Sequence, residues 1–382
     1  MEKDLKDIRK ELDAIDDQLI RLFSQRMDLS REVAAYKKAH ALPILDTGRE
    51  REIINRVSLK AGEGREHYAK LLYQTLFSVS KAYQAGQLFE PTLLTRELEK
   101  AAENAAAPMP NRALVACQGT EGAYSQKATE RMFEFADILY MNSFNDVFNA
   151  VEKGMCPFGV LPIENSTAGS VTQVYDLMEK HHFYIVRAAR QKIEHRLMAL
   201  PGVELKDIRQ IVSHEQALRQ CGAFLAEHPN IRATAMENTA VSAAHVAASG
   251  RRDLAAIASQ ECGPLYGLDT VVESVSDTES NFTRFICIAK DLKVFQGANK
   301  ISLMLSAAHK PGSLYRLLSL ISVMNLNLTK LESRPMPGRD FEFRFFFDIE
   351  ASILDPAVRS LIQQLKNESD QFAFLGNYEE MR

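Results

Sequence analysis

The chain has 382 residues, 46% hydrophobic and 25% charged, which is typical of a folded protein with two or three domains. Its formal net charge of -4 argues against nucleic acid as a partner, and no apolar run reaches the roughly 18 residues of a membrane span. The charged segment MEKDLKDIRKELD lacks the apolar core of a secretory signal, and the five cysteines are widely spaced without a CxxC pair. We therefore expect a cytoplasmic protein with reduced thiols and no structural metal, and neither nucleic acid nor membrane as a partner.

The first 90 residues have the pattern of three helices. Apolar residues alternate at spacings of three and four over about nine turns, which predicts one long helix with an apolar seam. The seam consists of Leu5, Ile8, Leu12, Ile15, Leu19, Leu22, Leu29, Val33 and Tyr36. So small a segment cannot bury so long a seam alone, and we expect partner helices from a second copy of the chain. Helices from Thr47 to about Ala61 and from about Glu66 to Leu88 complete an all-α domain over residues 1–90.

The first helix carries cations where its pattern favours apolar residues. Arg26 occupies a seam position, and Lys37, 11 residues later, points within about 20° of it. A buried cation needs an anionic partner. Two interpretations remain open: an internal salt bridge with Glu50 or Asp46, or a clamp for a small dicarboxylate.

The third helix has polar residues in an apolar stripe, Ser80 and Gln84. Together with the two cations they indicate a pocket suited to binding and electrostatic stabilisation rather than to acid–base chemistry. The stretches IRKELDAIDDQLIRLFSQR, VAAYK, DTGRERE and SVSKAYQ resemble the all-helical chorismate mutase family over about residues 5–88. That family folds as a domain-swapped dimer of three-helix chains and rearranges chorismate to prephenate.

The resemblance to chorismate mutases implies roles for individual residues. It places Lys37 and Gln84 at the ether oxygen of the substrate, as the catalytic pair. Since the rearrangement is pericyclic, the pocket is expected to orient a dicarboxylate and to stabilise charge on that oxygen. The resemblance assigns carboxylate or pocket contacts to Arg9 from a partner copy, Arg26, Asp46, Arg49, Glu50 and Ser80.

Residues 91–112 contain ENAAAPMPN, which is poor in large apolar side chains, and we interpret them as a linker. Residues 113–290 alternate short apolar strands with helical stretches. This order predicts an α/β domain with mainly parallel sheets.

Three segments of the α/β domain run from an apolar strand through polar residues into a helix: GVLPIENSTAGSV, SHEQALRQC and ENTAVSAA. Backbone N–H groups at a helix start can bind an anion, although an ordinary capped connection has the same pattern. A further segment, SNFTRF, places Thr283 and Arg284 at the mouth of an apolar strand. A solvated strand end would explain this segment alone, but with the three loops it favours a cleft that collects carboxylates.

The same segments, with QGTEGAYSQKA and YGL, resemble prephenate dehydratases over about residues 113–290 and occur in that family's order. The resemblance implies two α/β lobes around a cleft, as in periplasmic binding proteins, and cofactor-free conversion of prephenate to phenylpyruvate. It makes Thr283 the group that assists the departing ring hydroxyl, by a relayed proton or by position alone. Arg284 is our candidate for a substrate carboxylate. Further cleft residues implied are Glu164, Asn165, Ser166, Ser213, Gln220, Glu237 and Thr239.

Residues 299–380 have the order βαββαβ, which predicts an antiparallel sheet with two helices, an α+β module appended to the catalytic body. The motifs HKPGSLYRLL and KLESRP resemble an ACT regulatory domain, which implies a phenylalanine site between two subunits. A plain dimerisation sheet is the alternative. The residues implied are Gly312, Ser313, Leu314, Tyr315, Glu332, Ser333, Arg334 and Pro335.

Together the three resemblances imply consecutive reactions in one chain, with chorismate and prephenate as substrates and L-phenylalanine as a feedback inhibitor. The resemblances imply no cofactor. They imply a homodimer or a higher homo-oligomer. Two rivals remain: a dehydratase that prefers arogenate, and a non-catalytic sensor that keeps the cleft and the ACT module. The presence of Thr283, Arg284, Lys37 and Arg26 argues against the sensor, which would not need a leaving-group donor.

Overall fold

The computed structural model describes residues 3–40, 42, 46–88, 92–336 and 342–381. The helices are α1 Leu5–Ala39, α2 Thr47–Lys60, α3 Glu66–Leu88, α4 Leu93–Glu103, α5 Tyr124–Met132, α6 Phe144–Glu152, α7 Thr172–His181, α8 Glu215–Arg219, α9 Gly222–Glu227, α10 Thr239–Ser249, α11 Cys262–Tyr266, α12 Ser313–Val323 and α13 Pro356–Asn367. The strands are β1 Arg112–Gln118, β2 Phe135–Met141, β3 Phe158–Asn165, β4 Gly169–Ser170, β5 Tyr184–Lys192, β6 Arg196–Ala199, β7 Gln210–His214, β8 Arg232–Met236, β9 Leu254–Ala258, β10 Asp269–Val272, β11 Phe282–Ala289, β12 Lys300–Ser306, β13 Asn327–Pro335, β14 Phe343–Glu350 and β15 Gln371–Met381.

The described chain forms two compact units. The first comprises Met1–Arg96, Lys310–Leu320 and Arg359–Glu368, and the second comprises Glu97–His309, Ile321–Val358 and Ser369–Arg382. The predicted module at 299–380 is therefore divided, with its strands in the second unit and most of both helices in the first. Among the described residues, no helix has the length and apolar character needed to cross a membrane.

In the first unit the three predicted helices are confirmed as α1, α2 and α3. The side chain of Asp46 caps α2 by accepting a hydrogen bond of 2.9 Å from the backbone N–H of Arg49. The apolar seam of α1 is exposed: Leu12 is 53% exposed and Leu22 is 61% exposed. An exposed seam of this length is unusual for a soluble helix, because each buried leucine would contribute about 2 kcal/mol.

The second unit contains two sheets, which confirms the predicted two-lobed α/β architecture. The first sheet has the order β13-β14-β12-β15-β5-β11-β3-β1-β2, with β4 on β3, and the second has the order β10-β6-β9-β7-β8. The expectation of mainly parallel sheets is wrong. Since β11 returns from the second lobe, it enters antiparallel to both of its neighbours, β3 and β5.

The carboxyl-terminal strands extend the first sheet instead of forming a separate one. Strands β12 to β15 are antiparallel to one another, as the βαββαβ order predicts. The end of β15 then pairs in parallel with β5, residues Glu379–Met381 lying opposite Arg187–Ala189. One continuous sheet of ten strands therefore joins the predicted regulatory strands to the predicted catalytic strands.

The interpretation of residues 91–112 as a linker is wrong for most of this segment. Leu93–Glu103 forms α4, and Leu98, Ala101 and Ala105 are buried at helical spacing. Met109 is buried in the core of the first lobe. Small alanines pack as well as larger residues when a neighbouring surface fits them, so the Ala-rich composition concealed an apolar face.

Gly376 is required where β15 passes β5. Its φ is 143°, and a Cβ atom there would lie 2.2 Å from the carbonyl oxygen of Ile185. We expect Gly376→Ala to lower the free energy of unfolding by about 3 kcal/mol, because neither backbone can yield. Urea denaturation would measure this loss. Gly154→Ala is the matched control, since Gly154 also has positive φ but open space at its Cβ, and should cost about 1 kcal/mol. Equal losses would show that the contact with Ile185 is unimportant.

Candidate active sites

The dehydratase candidates lie on two neighbouring strands of the first sheet. Thr283 on β11 lies opposite Asn165 on β3, and Arg284 lies opposite Glu164. Successive side chains of a strand point to opposite faces of the sheet. Asn165 and Thr283 therefore share one face, and Glu164 and Arg284 share the other.

The face with Thr283 carries a network of side-chain amides. Asn165 Nδ2 donates to Thr283 Oγ1 at 2.9 Å and to Asn281 Oδ1 at 2.8 Å. Asn281 Nδ2 donates to Gln220 Oε1 at 3.0 Å, and Gln220 Nε2 donates to Thr167 Oγ1 at 2.8 Å. Gln220 belongs to the second lobe, whereas Asn165 and Thr283 belong to the first, so the network spans the cleft between the lobes.

Backbone groups fix the direction of these bonds. The N–H groups of Thr167 and Ala168 donate to Asn165 Oδ1 at 3.1 and 2.9 Å. The amide nitrogen of Asn165 must then face Thr283, whose oxygen accepts. Among the residues that the structure describes, no group accepts the hydroxyl hydrogen of Thr283, although this residue is only 9% exposed. Its hydrogen is therefore available to a bound molecule.

The other predicted cleft residues have several environments. Ser166 connects the loop after β3 to the start of β11. Its hydroxyl donates to Ser280 O and accepts from Phe282 N. Ser213 is fully buried and donates to Ile257 O at 2.6 Å. Thr239 is buried at the first position of α10, and Glu237, two residues earlier, is exposed. The structure thus brings Asn165, Gln220 and Thr283 into contact, and gives the two serines structural partners.

Arg284, our candidate for a substrate carboxylate, lies apart from the Thr283 network. Its guanidinium lies on the opposite face, where Nη1 donates to Asp348 Oδ2 at 2.5 Å and Nη2 to Tyr378 Oη at 2.6 Å. The Nε atom lies 3.1 Å from Glu380 Oε1. The cation is thus already held by the carboxyl-terminal strands. Burial opposes ionisation of Glu380, but bonds from Lys300 and the charge of Arg284 hold its pKa below the usual value.

The KLESRP motif faces the same side of the sheet as Arg284. Lys330 Nζ lies 3.0 Å from Glu164 Oε2 and 3.1 Å from Glu332 Oε2. Glu332 accepts a short hydrogen bond from the hydroxyl of Ser170 in β4, and Arg334 Nε donates to Glu332 at 2.9 Å. Burial raises the pKa of Glu332, but the bonds from Ser170 and Arg334 outweigh it and hold that pKa below its usual value. This motif therefore contacts the PIENS segment, directly behind Asn165.

The remaining predicted effector residues divide between the two units. Gly312 has a φ of 79°, Ser313 is buried and accepts from Arg316 Nη2 at 2.9 Å, Leu314 is half-buried and Tyr315 is 55% exposed. These four belong to the first unit. Ser333 and Pro335 are exposed in β13, which alternates regularly along its length.

In the first unit the structure brings Arg26 to Ser80. Arg26 Nη1 donates a short hydrogen bond to Ser80 Oγ, and the guanidinium lies 5.8 Å from the centre of the Phe77 ring. Within the described part of the chain, no carboxylate lies within salt-bridge distance of Arg26. Gln84 is 9% exposed, and its Oε1 has no hydrogen-bond partner among the described residues. Arg26 therefore suits an anionic ligand, whereas Gln84 Oε1 can accept a hydrogen bond from a donor group of a ligand.

The internal salt bridge that the sequence left open does not form at Arg26. Glu50 lies 3.1 Å from Lys81 Nζ, and Asp46 serves as the cap of α2. Lys37 is half-buried near the end of α1. Arg49 forms a salt bridge of 2.6 Å with Glu52, and Arg9 is exposed. No described contact connects either residue to Arg26.

The described residues contain no group of three or more His, Cys, Asp or Glu side chains that could hold a metal ion. The contacts described above involve hydroxyl, amide and charged side chains. Such groups bind, orient and stabilise charge.

Comparison with known proteins identifies both enzyme domains. The chorismate mutase type II family model matches residues 8–85, and the prephenate dehydratase model matches residues 115–293. The bifunctional chorismate mutase/prephenate dehydratase of Escherichia coli (strain K12) is 30% identical over 379 residues, covering 97% of this chain and 95% of that protein. The chain belongs to the bifunctional chorismate mutase/prephenate dehydratase family. It thus carries both enzyme domains, in the order expected from the sequence.

Two further members of the dehydratase group are similar to this chain. Arogenate dehydratase/prephenate dehydratase 2 of Arabidopsis thaliana is 33% identical over 312 residues, covering 78% of this chain and 80% of that protein. The structure of prephenate dehydratase from Arthrobacter aurescens in complex with L-Phe has a TM-score of 0.63 and 28% identity, covering 70% of this chain and 89% of that one. The dehydratase fold is thus shared with a protein that binds phenylalanine.

Sequence reasoning did not assign Asn281 or Lys330 to a site. Asn281 lies two residues before Thr283, so strand alternation alone would have placed both on one face. Lys330 precedes Glu332 by the same interval. A search for polar residues at a spacing of two would have found both.

Proposed function

We propose that the helical pocket of this bifunctional enzyme rearranges chorismate to prephenate, and that the cleft between the two lobes converts prephenate to phenylpyruvate. L-Phenylalanine inhibits the second step through the carboxyl-terminal ACT module. The hydroxyl of Thr283 is the observation that carries the dehydratase proposal, because its oxygen accepts a hydrogen bond from Asn165 while its hydrogen is available.

In the dehydratase step the C–C bond to the ring carboxylate breaks, and its electron pair completes the aromatic ring as the C–O bond to the ring hydroxyl breaks. Carbon dioxide leaves, and the departing hydroxide takes up one proton to form water. A threonine hydroxyl is too weak an acid to supply that proton permanently. Thr283 therefore acts by donating a hydrogen bond to the leaving oxygen, and water replaces any proton transferred.

The amide network supports this role of Thr283. Asn165 and Asn281 hold the hydroxyl oxygen in one direction before substrate binds. A donor that is oriented in advance stabilises charge without a reorganisation cost at the moment of reaction. Gln220 reaches the same network from the second lobe, so both lobes contribute to the site.

In the mutase step Arg26 supplies a half-buried cation that has no carboxylate partner among the described residues. Such a cation is costly unless an anion arrives, and a carboxylate of chorismate is the anion we propose. Lys37 and Gln84 then face the ether oxygen, whose negative charge increases as its C–O bond breaks.

The exposed seam of α1 supports a homodimer. Leu12, Leu22 and Leu29 are more than half exposed, although their spacing is that of a buried helix face. A second copy whose α1 lies along this seam would cover it. The same arrangement would bring Arg9 of one copy to the pocket of the other.

The proposed inhibition by phenylalanine rests on the KLESRP contacts. Lys330 and Glu332 bond to Glu164 and Ser170, which flank the turn that orients Asn165. An effector that moves β13 thereby changes the strand behind the catalytic network. The phenylalanine-bound relative from Arthrobacter aurescens has the same dehydratase fold.

A coupled assay on the purified chain tests the proposal. Chorismate should be consumed and phenylpyruvate formed, and phenylalanine should suppress the second step. Glu332→Gln should raise the half-inhibitory phenylalanine concentration by about tenfold or more, because the neutral amide weakens the bonds to Lys330 and Ser170. Glu350→Gln, on the same sheet but bonded to Asn327, is the matched control.

Each failure of the assay has a distinct meaning. Prephenate that accumulates without phenylpyruvate would contradict the dehydratase assignment, and turnover of arogenate in its place would show the rival substrate. Phenylpyruvate formation that does not respond to phenylalanine would contradict the regulatory assignment alone.

A further inference from the structure

His195 lies where the chain crosses between the two lobes. It precedes β6, and its backbone accepts from Val275 and donates to Ser276, residues of the returning crossover. Its side chain is only 2% exposed. The imidazole Nε2 lies 3.0 Å from Gln220 Oε1, so His195 contacts the network that ends at Thr283.

The protonation of this imidazole follows from the bonds around it. Backbone N–H groups orient Asn165, which donates to Asn281 Oδ1, and Asn281 must then donate to Gln220 Oε1. A carbonyl oxygen only accepts, so His195 Nε2 carries the hydrogen and donates it. Every amide from Asn165 to Gln220 thus has one allowed orientation.

We propose that His195 is a positioning residue of the dehydratase, which donates through Nε2 to Gln220 and so fixes the amide network that orients Thr283. It touches neither substrate nor the reacting atoms. Without this donor, Gln220 Oε1 keeps a single partner, and its side chain can rotate away from Asn281. Thr283 then loses the rigid support that directs its hydroxyl to the leaving group.

The surroundings of His195 favour the neutral imidazole. Burial lowers its pKa, and the bond to Gln220 opposes this only in part. Nδ1 is buried and has no hydrogen-bond partner among the described residues. The edge of the Tyr124 ring packs against the imidazole with centroids 6.1 Å apart. A plain packing role would explain the ring contact, but not the polar contact with Gln220.

Three variants separate positioning from packing. In His195→Gln the side-chain amide N–H lies at about the position of the imidazole Nε2. In His195→Asn the amide N–H reaches only to about the position of Nδ1. His195→Leu keeps a side chain of similar size but has no hydrogen-bond donor. We expect the dehydratase kcat to fall by about 10- to 100-fold in the Asn and Leu variants and by less than about threefold in the Gln variant. KM for prephenate and the mutase activity should stay near wild type.

A double variant tests the link to Thr283. If His195 acts through Thr283, adding His195→Asn to Thr283→Ala should lower the residual kcat by less than about twofold. If the loss of kcat in the double variant equals the product of the losses in the two single variants, the proposal is wrong. Equal losses of kcat in His195→Gln and His195→Asn would also overturn it. If His195→Leu does not fold, the dehydratase kcat of His195→Gln compared with that of His195→Asn still distinguishes a positioning role from a packing role.

This inference rests on the proposed dehydratase function, and the two fail separately. A wild-type chain that makes no phenylpyruvate from prephenate would contradict the function itself. An active wild type with a fully active His195→Asn variant would contradict only the role of His195.

Discussion

Replacement of Thr283 by alanine is expected to lower the dehydratase kcat by about 100-fold or more, and to leave the mutase activity unchanged. The reason is that no other hydroxyl in the described network has a hydrogen available toward the cleft, since Thr167 donates to Asn165 Oδ1 and Ser166 to Ser280 O. Phenylpyruvate formation from prephenate measures the loss, and chorismate consumption by the same sample verifies the fold.

Thr283→Ser is the matched control, because it keeps the hydroxyl that Asn165 orients. It should retain most of the activity, with a loss of less than about tenfold from the freer rotation of serine. Near-normal turnover by Thr283→Ala would remove this residue from the mechanism. Equal loss of both activities would instead show a general structural defect.

Replacement of Lys37 by alanine should have the converse effect, with a loss of about 100- to 1,000-fold in mutase kcat. The cation faces the oxygen that gains charge in the proposed transition state, so its removal raises the barrier more than it weakens substrate binding. Chorismate disappearance measures the mutase, and prephenate supplied directly measures the dehydratase.

Lys38→Ala provides the control for Lys37, since the neighbouring lysine has the same charge but is exposed at the end of α1. Both variants change the net charge and the last turn of the helix equally. A Lys37→Ala enzyme that makes prephenate at the parent rate would show that the helical pocket is misassigned.

Features with a strong local pattern could be predicted from the sequence. The bounds of α1, α2 and α3 follow from apolar periodicity, from Asp46 before Thr47 and from Gly62 and Gly64 after Lys60. The βαββαβ order of the last strands also follows from local pattern. These elements depend on interactions between near neighbours in the chain, which the sequence displays directly.

The directions of the side chains at the dehydratase site could not be predicted from the sequence motif alone. Thr283 and Arg284 are adjacent in the sequence, and a motif treats them as one feature. The pleat of β11 separates them, because Asn165 contacts one and Asp348 the other. Asp348 lies 64 residues farther along the chain, so only the tertiary fold could show that Arg284 already has an anionic partner.

Long-range contacts account for the remaining differences. His195 has no sequence signal, because its partner Gln220 is 25 residues away. The helix α4 was hidden by its alanines, whose burial depends on the surface they meet. The pairing of β15 with β5 joins residues almost 200 positions apart, and no local pattern encodes it.

That pairing has a consequence for any attempt to isolate the dehydratase. Without β15, the middle of β5 would expose backbone N–H and C=O groups at Arg187, Ala188 and Ala189. An unpaired strand edge is a template for aggregation with other chains. The carboxyl-terminal strand therefore also protects the catalytic sheet from self-association, so a fragment that ends near residue 290 is expected to be poorly soluble.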